Sequence, residues 1–528
     1  MTLPPLDTRR SFWGSARAIP LAAAVLATLA WLVFNPALNR VFAGDHLWYF
    51  AEVHGQSTLS AGLRLVDYAA SRVYWRGDDV TFRPLLFTWM AIANALFSYH
   101  HTWWNAANLA IHVLVGLALF RLLAAIRPSS FALLAAAIFI VLTPAIELVL
   151  WNHLGGYLWA WLCLTVGLHA FAVLTGVTQA KPSVISPRPP ALTRASVHFA
   201  VAFAAGALFY EALAVIGFVL ALIVLWCEWR RSTVNIARAV ALLSPAVLFV
   251  ALYVWHATRV PRMGYIDGAI VQAPVSRLLN VLPLAVRAAR HWLWEIAMPT
   301  TLTLSSRAFD RFTIAVTSWP ETPLQWANAI LVVAAGVLLL MSTSKRRLLQ
   351  TLPFLTGVLL AGAKYVALLA FGRPPQDLVG ATYYPYVFGL LTVVFLYTLV
   401  DQERLTTGTR VAGLAVTLGL FALHASATMT AVEGVEAANR YQSRYFSRLI
   451  AFVDEHKTEP GFTFAIEAHP ESLDPQVLLA RGYPDDPHPV SESRRISEIL
   501  FEPYYRVSSP KYVLDASAGH VVSGSRLP

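Results

Sequence analysis

The chain alternates apolar runs of roughly twenty residues with short polar connections almost from end to end. The runs fall near 18–37, 82–98, 102–125, 129–150, 154–176, 195–210, 212–228, 236–256, 325–343, 348–370, 382–400 and 410–430. About twenty apolar residues in a helix match a hydrocarbon layer of about 30 Å. A helix also satisfies its own backbone where no water is present. The pattern therefore predicts an all-α polytopic membrane protein, built as a helical bundle rather than a barrel. Two longer intervals, 38–101 with the short run 82–98 inside it and 257–324, interrupt the rhythm. Beyond about 430 the chain turns polar, with an amphipathic helix pattern around 441–456 and a strand-like "FTFAIE". Residues 1–430 read as a transmembrane domain, and residues 431–528 as a small C-terminal α+β appendage.

Charge sets the orientation. Lys and Arg gather at Arg9/Arg10/Arg17, Arg121/Arg127, Lys181/Arg188/Arg194, Arg230/Arg231/Arg238, Lys345/Arg346/Arg347 and Arg404/Arg410. Short loops rich in these residues belong on the cytoplasmic side. If all twelve runs cross, the basic loops from Arg127 to Arg238 fall outside. If 82–98 lies along the outer surface instead, every basic cluster returns to the cytoplasm. The chain then has about eleven spans, with the N-terminus inside and the C-terminus outside. Residues 38–101 become a first outer loop holding membrane-surface helices, and 257–324 become a second long outer loop. The same parity makes 195–228 a hairpin with Tyr210-Glu211 at its outer tip. A single long helix with Glu211 buried is the competing reading.

Composition agrees and narrows the class. The 528 residues are 57% hydrophobic and 13% charged, with a mean hydropathy of +0.56. A soluble protein cannot cover so much apolar surface. The net charge of +10 is spread over loops, and no basic stripe points to nucleic acid. Cys163 and Cys227 lie inside apolar runs and read as packing residues.

The unusual ionisable residues collect at the outer side. Asp45 and His46 follow the first span in "FAGDHLWYF", and Arg83 opens the surface helix. Glu147 and His153 bracket the turn in "TPAIELVLWNHLGG". Glu211 is the hairpin tip, and Arg373 follows a span in "FGRPPQDLVGATYYPY". In "VSRLLNVLPLAVRAARHWLWEIAMP", Arg287, His291 and Glu295 recur at helical spacing, with Arg290 beside them. Carboxylates at membrane depth are costly and face a cavity or a partner. Each residue also has a plainer reading: Asp45 as a turn, the glutamates as partners of an arginine, the arginines as headgroup contacts. Their common side is what favours an outward-opening site.

Here the sequence resembles a family. "TFRPLLFTWMAIANALFSYHHTWWNAANLAIHVLVGLALFRLL" is similar to the "yRPL…fG…yHlvNlllH" block of polytopic GT-C glycosyltransferases, including bacterial relatives of protein O-mannosyltransferases. Arg83, Pro84, Leu85, Asn108 and His112 fall on that pattern. "TPAIELVLWNHLGGYLWAWL" resembles "HPxxxEaVaWisgRkdLL", placing Glu147 and Trp151 on its glutamate and tryptophan. "FYEALAVIGFVLAL" resembles "sKEtavtlPlll", with Glu211 on the glutamate and Tyr210 where the family has lysine. "ATYYPYVFGLL" echoes "RylYlPs.G" and adds Tyr384 to the substrate-binding candidates. Gly155-Gly156-Tyr157-Leu158 occupies the stretch where the family carries an acidic residue.

The resemblance implies a transferase that moves a sugar from a polyprenyl-phosphate donor to an acceptor hydroxyl on the outer face of the membrane, and the Ala- and Arg-rich composition suits a bacterial inner membrane with that face periplasmic. The resemblance places a catalytic aspartate just after the first span, where Asp45 stands, and implies inversion at the anomeric carbon. Arg373, with Arg83 or Arg287 and Arg290 as alternates, is expected to clamp the phosphate. His46, Glu147, His153, Glu211 and Tyr384 complete the expected substrate-binding set. The expected partners are the lipid donor, membrane lipid and an acceptor that is protein, glycan or lipid. No cofactor is expected; Mn²⁺ or Mg²⁺ at Asp45, Glu147 and His153 ranks below a metal-free site. A flippase for lipid-linked sugars is the alternative, although such proteins favour midplane sites between repeated halves, which this chain lacks.

Overall fold

The computed structural model describes residues 12–41, 83–178, 193–257, 274–297, 323–372, 384–401, 404–467, 497–498, 500–506 and 508–515. The fold is an all-α polytopic bundle with a small two-stranded sheet near its C-terminal end. Among the described residues, seven helices are long and apolar enough to cross a membrane by length and composition. Shorter apolar helices span 84–97, 130–140, 194–209, 326–342 and 384–399. Setting aside 84–97, eleven apolar helices remain among these, seven of them of spanning length.

The N-terminal half holds α1 (Ala18–Phe34), α2 (Pro84–Phe97), α3 (His101–Ile126), α4 (Ser130–Ile140) and α5 (Ala145–Leu150). It continues through α6 (Gly155–Thr175), α7 (Arg194–Phe209), α8 (Ala212–Arg230) and α9 (Ile236–Ala257). In α1, Ala18, Ala22, Leu26 and Ala30 are fully buried against α3 and α4, while Trp31 and Leu32 are exposed. Small residues facing neighbouring helices and large apolar ones facing outward are what a lipid solvent selects.

Helix α2 has 14 residues, or roughly 21 Å at about 1.5 Å per residue, too short for the hydrocarbon layer. Pro84 starts it because proline needs no N–H partner in the first turn. The run expected as one span over 129–150 is instead two helices, α4 and α5, separated by the turn around Pro144. Glu147 therefore lies inside α5 rather than at the edge of a turn.

The chain reverses at Tyr210-Glu211. Tyr210 is extended (φ −154°, ψ 117°), and its N–H closes α7 on Gly206 O. Glu211 then caps α8, where a carboxylate complements the helix N-terminal dipole. Residues on either side of this point pack together. A Cβ on Gly206 would lie 2.4 Å from Leu213 Cδ2, and one on Gly217 would lie 2.8 Å from the Phe203 ring. That symmetry about 210 is a hairpin, so the open choice between hairpin and single helix falls to the hairpin.

The second half holds α10 (Pro274–Ala297), α11 (Pro323–Ser342), α12 (Lys345–Gly372), α13 (Tyr384–Leu399) and α14 (Thr407–His456). Helix α14 is continuous for 50 residues and runs straight through position 430, where the sequence puts its domain boundary. Only its first part, through Glu436, is apolar enough to lie in a membrane. Its last turns join strands β1 (Phe464–Glu467) and β2 (Tyr512–Asp515), a parallel pair in which Phe464 faces Tyr512.

This C-terminal layer has its own core of Phe446, Leu449, Phe464, Phe501 and Leu514, shared with Ala93 of α2 and Tyr99. Tyr99 donates to Asp454 Oδ1 at 2.7 Å, and His100 Nε2 lies 2.9 Å from Asp454 Oδ2. The layer is thus fastened to the surface helix at one end of the bundle.

Candidate active site

Three distant segments meet at that end. Arg83, just ahead of α2, donates from Nε to Glu211 Oε2 at 2.6 Å and from Nη2 to Glu211 Oε1 at 2.5 Å. Its remaining terminal nitrogen donates to the Tyr157 hydroxyl at 2.6 Å. This is a bidentate, charge-assisted pair, the strong form of such contacts. Burial works against the Arg83 charge, but Glu211 and the neighbouring tyrosines more than offset it, so its pKa is raised above the ordinary arginine value. The Arg83 side chain is 11% exposed and that of Glu211 is 38% exposed. The pair is therefore lodged in the protein with its carboxylate reachable.

The local sequence explains the approach. A Cβ on Gly155 would lie 2.3 Å from Asn108 Oδ1, and one on Gly156 would lie 2.8 Å from Leu86 Cγ. Only the two glycines let α2 and α3 come so close to the start of α6, and that closeness puts Arg83 over Tyr157. Asn108 uses its amide on the same junction, donating to the carbonyls of Val149, Trp151 and Asn152 at 3.2–3.4 Å. His112, four residues on, bonds the Tyr386 hydroxyl at 2.8 Å and Ile140 O at 3.0 Å. The asparagine and histidine of the family-like block are thus fasteners for the segment carrying the site.

Aromatic rings floor the pair. The Arg83 guanidinium carbon sits 4.9 Å from the Tyr210 ring centroid and 5.6 Å from that of Tyr157, within cation–π range. Tyr210 meets Trp161 at 5.4 Å, and Trp161 meets Tyr365 at 5.8 Å. Trp292 of α10 continues the row, 6.1 Å from Tyr365 and 6.4 Å from Tyr384. Trp161 is buried, and its indole N–H has no hydrogen-bond partner among the described residues. A buried donor of this kind is worth filling.

The expected site residues divide. Arg83 and Glu211 are brought together, and Tyr384, buried at 3% exposure, belongs to the adjoining aromatic row. Glu147 is fully buried in α5. His153 lies in the 3₁₀ turn Asn152–Leu154. Arg287 and Arg290 are exposed on α10, on the side opposite the buried Ala288 and Trp292, so it is Trp292 that reaches the row. Asp45, His46 and Arg373 lie outside the described residues. Among the described residues, no three His, Cys, Asp or Glu side chains gather as metal ligands, and Cys163 and Cys227 are both free.

Sequence reasoning missed Tyr157, Trp161, Trp292 and Tyr365. Tyr157 had announced itself as a tyrosine where the family carries an acid, and it turns out to hold Arg83. Arg40 was also passed over. It is 5% exposed and donates to Leu150 O of α5 at 3.3 Å.

No family model and no curated protein matches the chain. Among solved structures, it is similar to the oligosaccharyltransferase AglB from Archaeoglobus fulgidus, in complex with an inhibitory peptide and a dolichol-phosphate. That similarity has 14% identity and a TM-score of 0.43, covering 94% of this chain and 69% of that one. It is also similar to ArnT from Cupriavidus metallidurans bound to undecaprenyl phosphate, at 12% identity and a TM-score of 0.40, covering 86% of this chain and 83% of that one.

Proposed function

We propose that this chain is a membrane glycosyltransferase of GT-C type, which moves a sugar from a polyprenyl-phosphate donor to an acceptor hydroxyl on the periplasmic side of a bacterial inner membrane. One observation carries the reading. "FRPL", "GGYL" and "FYEAL", three of the stretches bearing the family resemblance, converge through Arg83, Tyr157 and Glu211 on a single aromatic-floored site. Convergence of separated motifs on one polar cluster is what a site demands and what packing alone does not.

In this mechanism the acceptor oxygen attacks the anomeric carbon as its bond to the phosphate oxygen breaks, and the configuration inverts. Asp45 takes the acceptor proton, a role typically worth about 10²–10⁴ in rate. Arg373, with Arg287 and Arg290 as alternates, neutralises the departing phosphate. Arg83 is spoken for by Glu211 and Tyr157, so its part is to aim the Glu211 carboxylate at sugar or acceptor hydroxyls rather than to grip phosphate. Tyrosine and tryptophan faces beside it suit a sugar ring, apolar on one side and hydroxylated at its rim.

The test is release of polyprenyl phosphate by purified protein offered a panel of polyprenyl-phosphate sugars, with and without a chelator. Turnover by wild type and its loss in folded Asp45→Asn supports the reading, and chelator sensitivity would add a metal. Equal turnover by both proteins removes Asp45 as the base. Absence of turnover with every donor, alongside passage of lipid-linked sugar across vesicles, would replace the transferase with a flippase.

A further inference from the structure

A cavity of about 320 Å³ lies between the end of α1 and the emerging part of α14. It is lined by Arg40 on one side and by Glu436, Ser443, Arg444, Ser447 and Arg448 on the other. The two arginines of α14 are four residues apart, as are the two serines, so each pair shares a helix face. Ser443 Oγ donates to Asn39 O at 2.9 Å, which ties the two walls together. The apolar window of α1 ends at Ala37 and that of α14 at Glu436. The cavity therefore opens where both helices leave the hydrocarbon, at the depth of lipid headgroups.

We infer that this cavity is an anion subsite for the phosphate of a membrane lipid, separate from the Arg83–Glu211 site. Three arginines against one glutamate give it a net positive lining, and guanidinium groups with the Ser447 hydroxyl match phosphate oxygens. Its volume is at the small end for ligand pockets, enough for a phosphate with part of what it is esterified to. Lipid access follows from its depth: an occupant keeps its acyl chains in the bilayer while its headgroup sits among the arginines. The cavity also has a line inward. Arg40 donates to Leu150 O, its own carbonyl accepts from Asn105 Nδ2, and Asn105 Oδ1 accepts from Asn152 Nδ2. An occupant touching Arg40 thus bears on the segment that carries Glu147.

The experiment measures binding of dioctanoyl phosphatidic acid to the full chain in neutral detergent by calorimetry. Dioctanoylglycerol serves as the uncharged control, and inorganic phosphate as a second anionic probe. Arg444 and Arg448 are exposed, so the Arg444→Gln/Arg448→Gln variant keeps its packing. The expected result is saturable one-to-one binding, weakened about tenfold or more in that variant. Lys345→Gln/Arg346→Gln, which removes the same charge from an exposed helix start away from both sites, is expected to bind as wild type. Inorganic phosphate binding as tightly as the lipid would assign the subsite to free phosphate, while much weaker phosphate binding assigns it to a lipid. Equal lipid binding by wild type and the α14 variant, equal loss in both double variants, or no binding of either anion overturns the subsite. Glu211→Gln is expected to retain lipid binding, which separates failure of this inference from failure of the transferase reading.

Discussion

Helix α8 carries one Arg–Glu pair at each of its ends, and the two differ in a telling way. At its start, Glu211 takes Arg83 from 128 residues away, with the carboxylate side chain 38% exposed and tyrosine rings alongside. Near its end, Glu228 takes Arg238 from the first turn of α9, and the two side chains are only 8% and 7% exposed. Both are charge pairs in a bundle whose interior is apolar. The Glu228 pair is sealed and local, next to the basic loop at Arg230-Arg231, and joins α8 to α9. The Glu211 pair is long-range and open, and joins three elements around a floor of rings. A closed pair holds helices; an open one with aromatic neighbours can meet a ligand. Position alone does not separate them, but accessibility and surroundings do.

Breaking the open pair is expected to have the largest effect. Glu211→Gln should lower turnover of a polyprenyl-phosphate sugar by about 10²-fold or more, with the fold intact. The readouts are polyprenyl-phosphate release and a thermal melt on the same sample. A matching loss of melting temperature would reduce this pair to the role of the other. Arg238→Met is the converse case. It leaves Glu228 buried without its charge partner and should cost about 3–5 kcal/mol in unfolding from mixed micelles, with turnover per folded molecule unchanged. The double variant Arg238→Met/Glu228→Leu should recover most of that stability.

Tyr157→Phe sharpens the comparison further. Losing one hydrogen bond to Arg83 should cost about 1 kcal/mol, seen as roughly a fivefold fall in turnover with little change in melting temperature. The smallest effect concerns how the C-terminal layer is fastened. Burial opposes the Asp454 charge, but hydrogen bonds from Lys457, Tyr99 and His100 hold its pKa below the ordinary 3.8. A depressed carboxylate contributes stability that is present above its unfolded value and lost as pH falls through its folded one. Docking should therefore loosen only as pH drops through the ordinary carboxylate range and below it, and only slightly, because solvent screens the pair. Hydrogen exchange across 445–453 reads this, and Asp454→Asn should abolish that dependence.

Much of the architecture was legible from local pattern. The twelve apolar runs reappear as helices, 82–98 reappears as the short α2, and Tyr210-Glu211 reappears as a hairpin tip. Less legible were the break at Pro144 and the unbroken α14, because both depend on neighbours rather than on periodicity. The site was half legible. Arg83 and Glu211 stood out as ionisable residues in an apolar chain, but their pairing was written in neither segment. Less legible too was the face of α10 that packs: Trp292 is buried, while Arg287 and Arg290 are exposed.

What the sequence determined by itself is the solvent of this protein, to which loop charge adds an expected orientation. Hydropathy and charge sum along the chain, so short windows suffice to read them. What only the tertiary structure decided is which polar groups meet. Gly155 and Gly156 allow an approach that no larger residue permits, the hairpin carries Glu211 to the same place, and Arg83 finds its partner there. Contacts of that kind depend on the packing of helices far apart in the chain, and no local pattern encodes them.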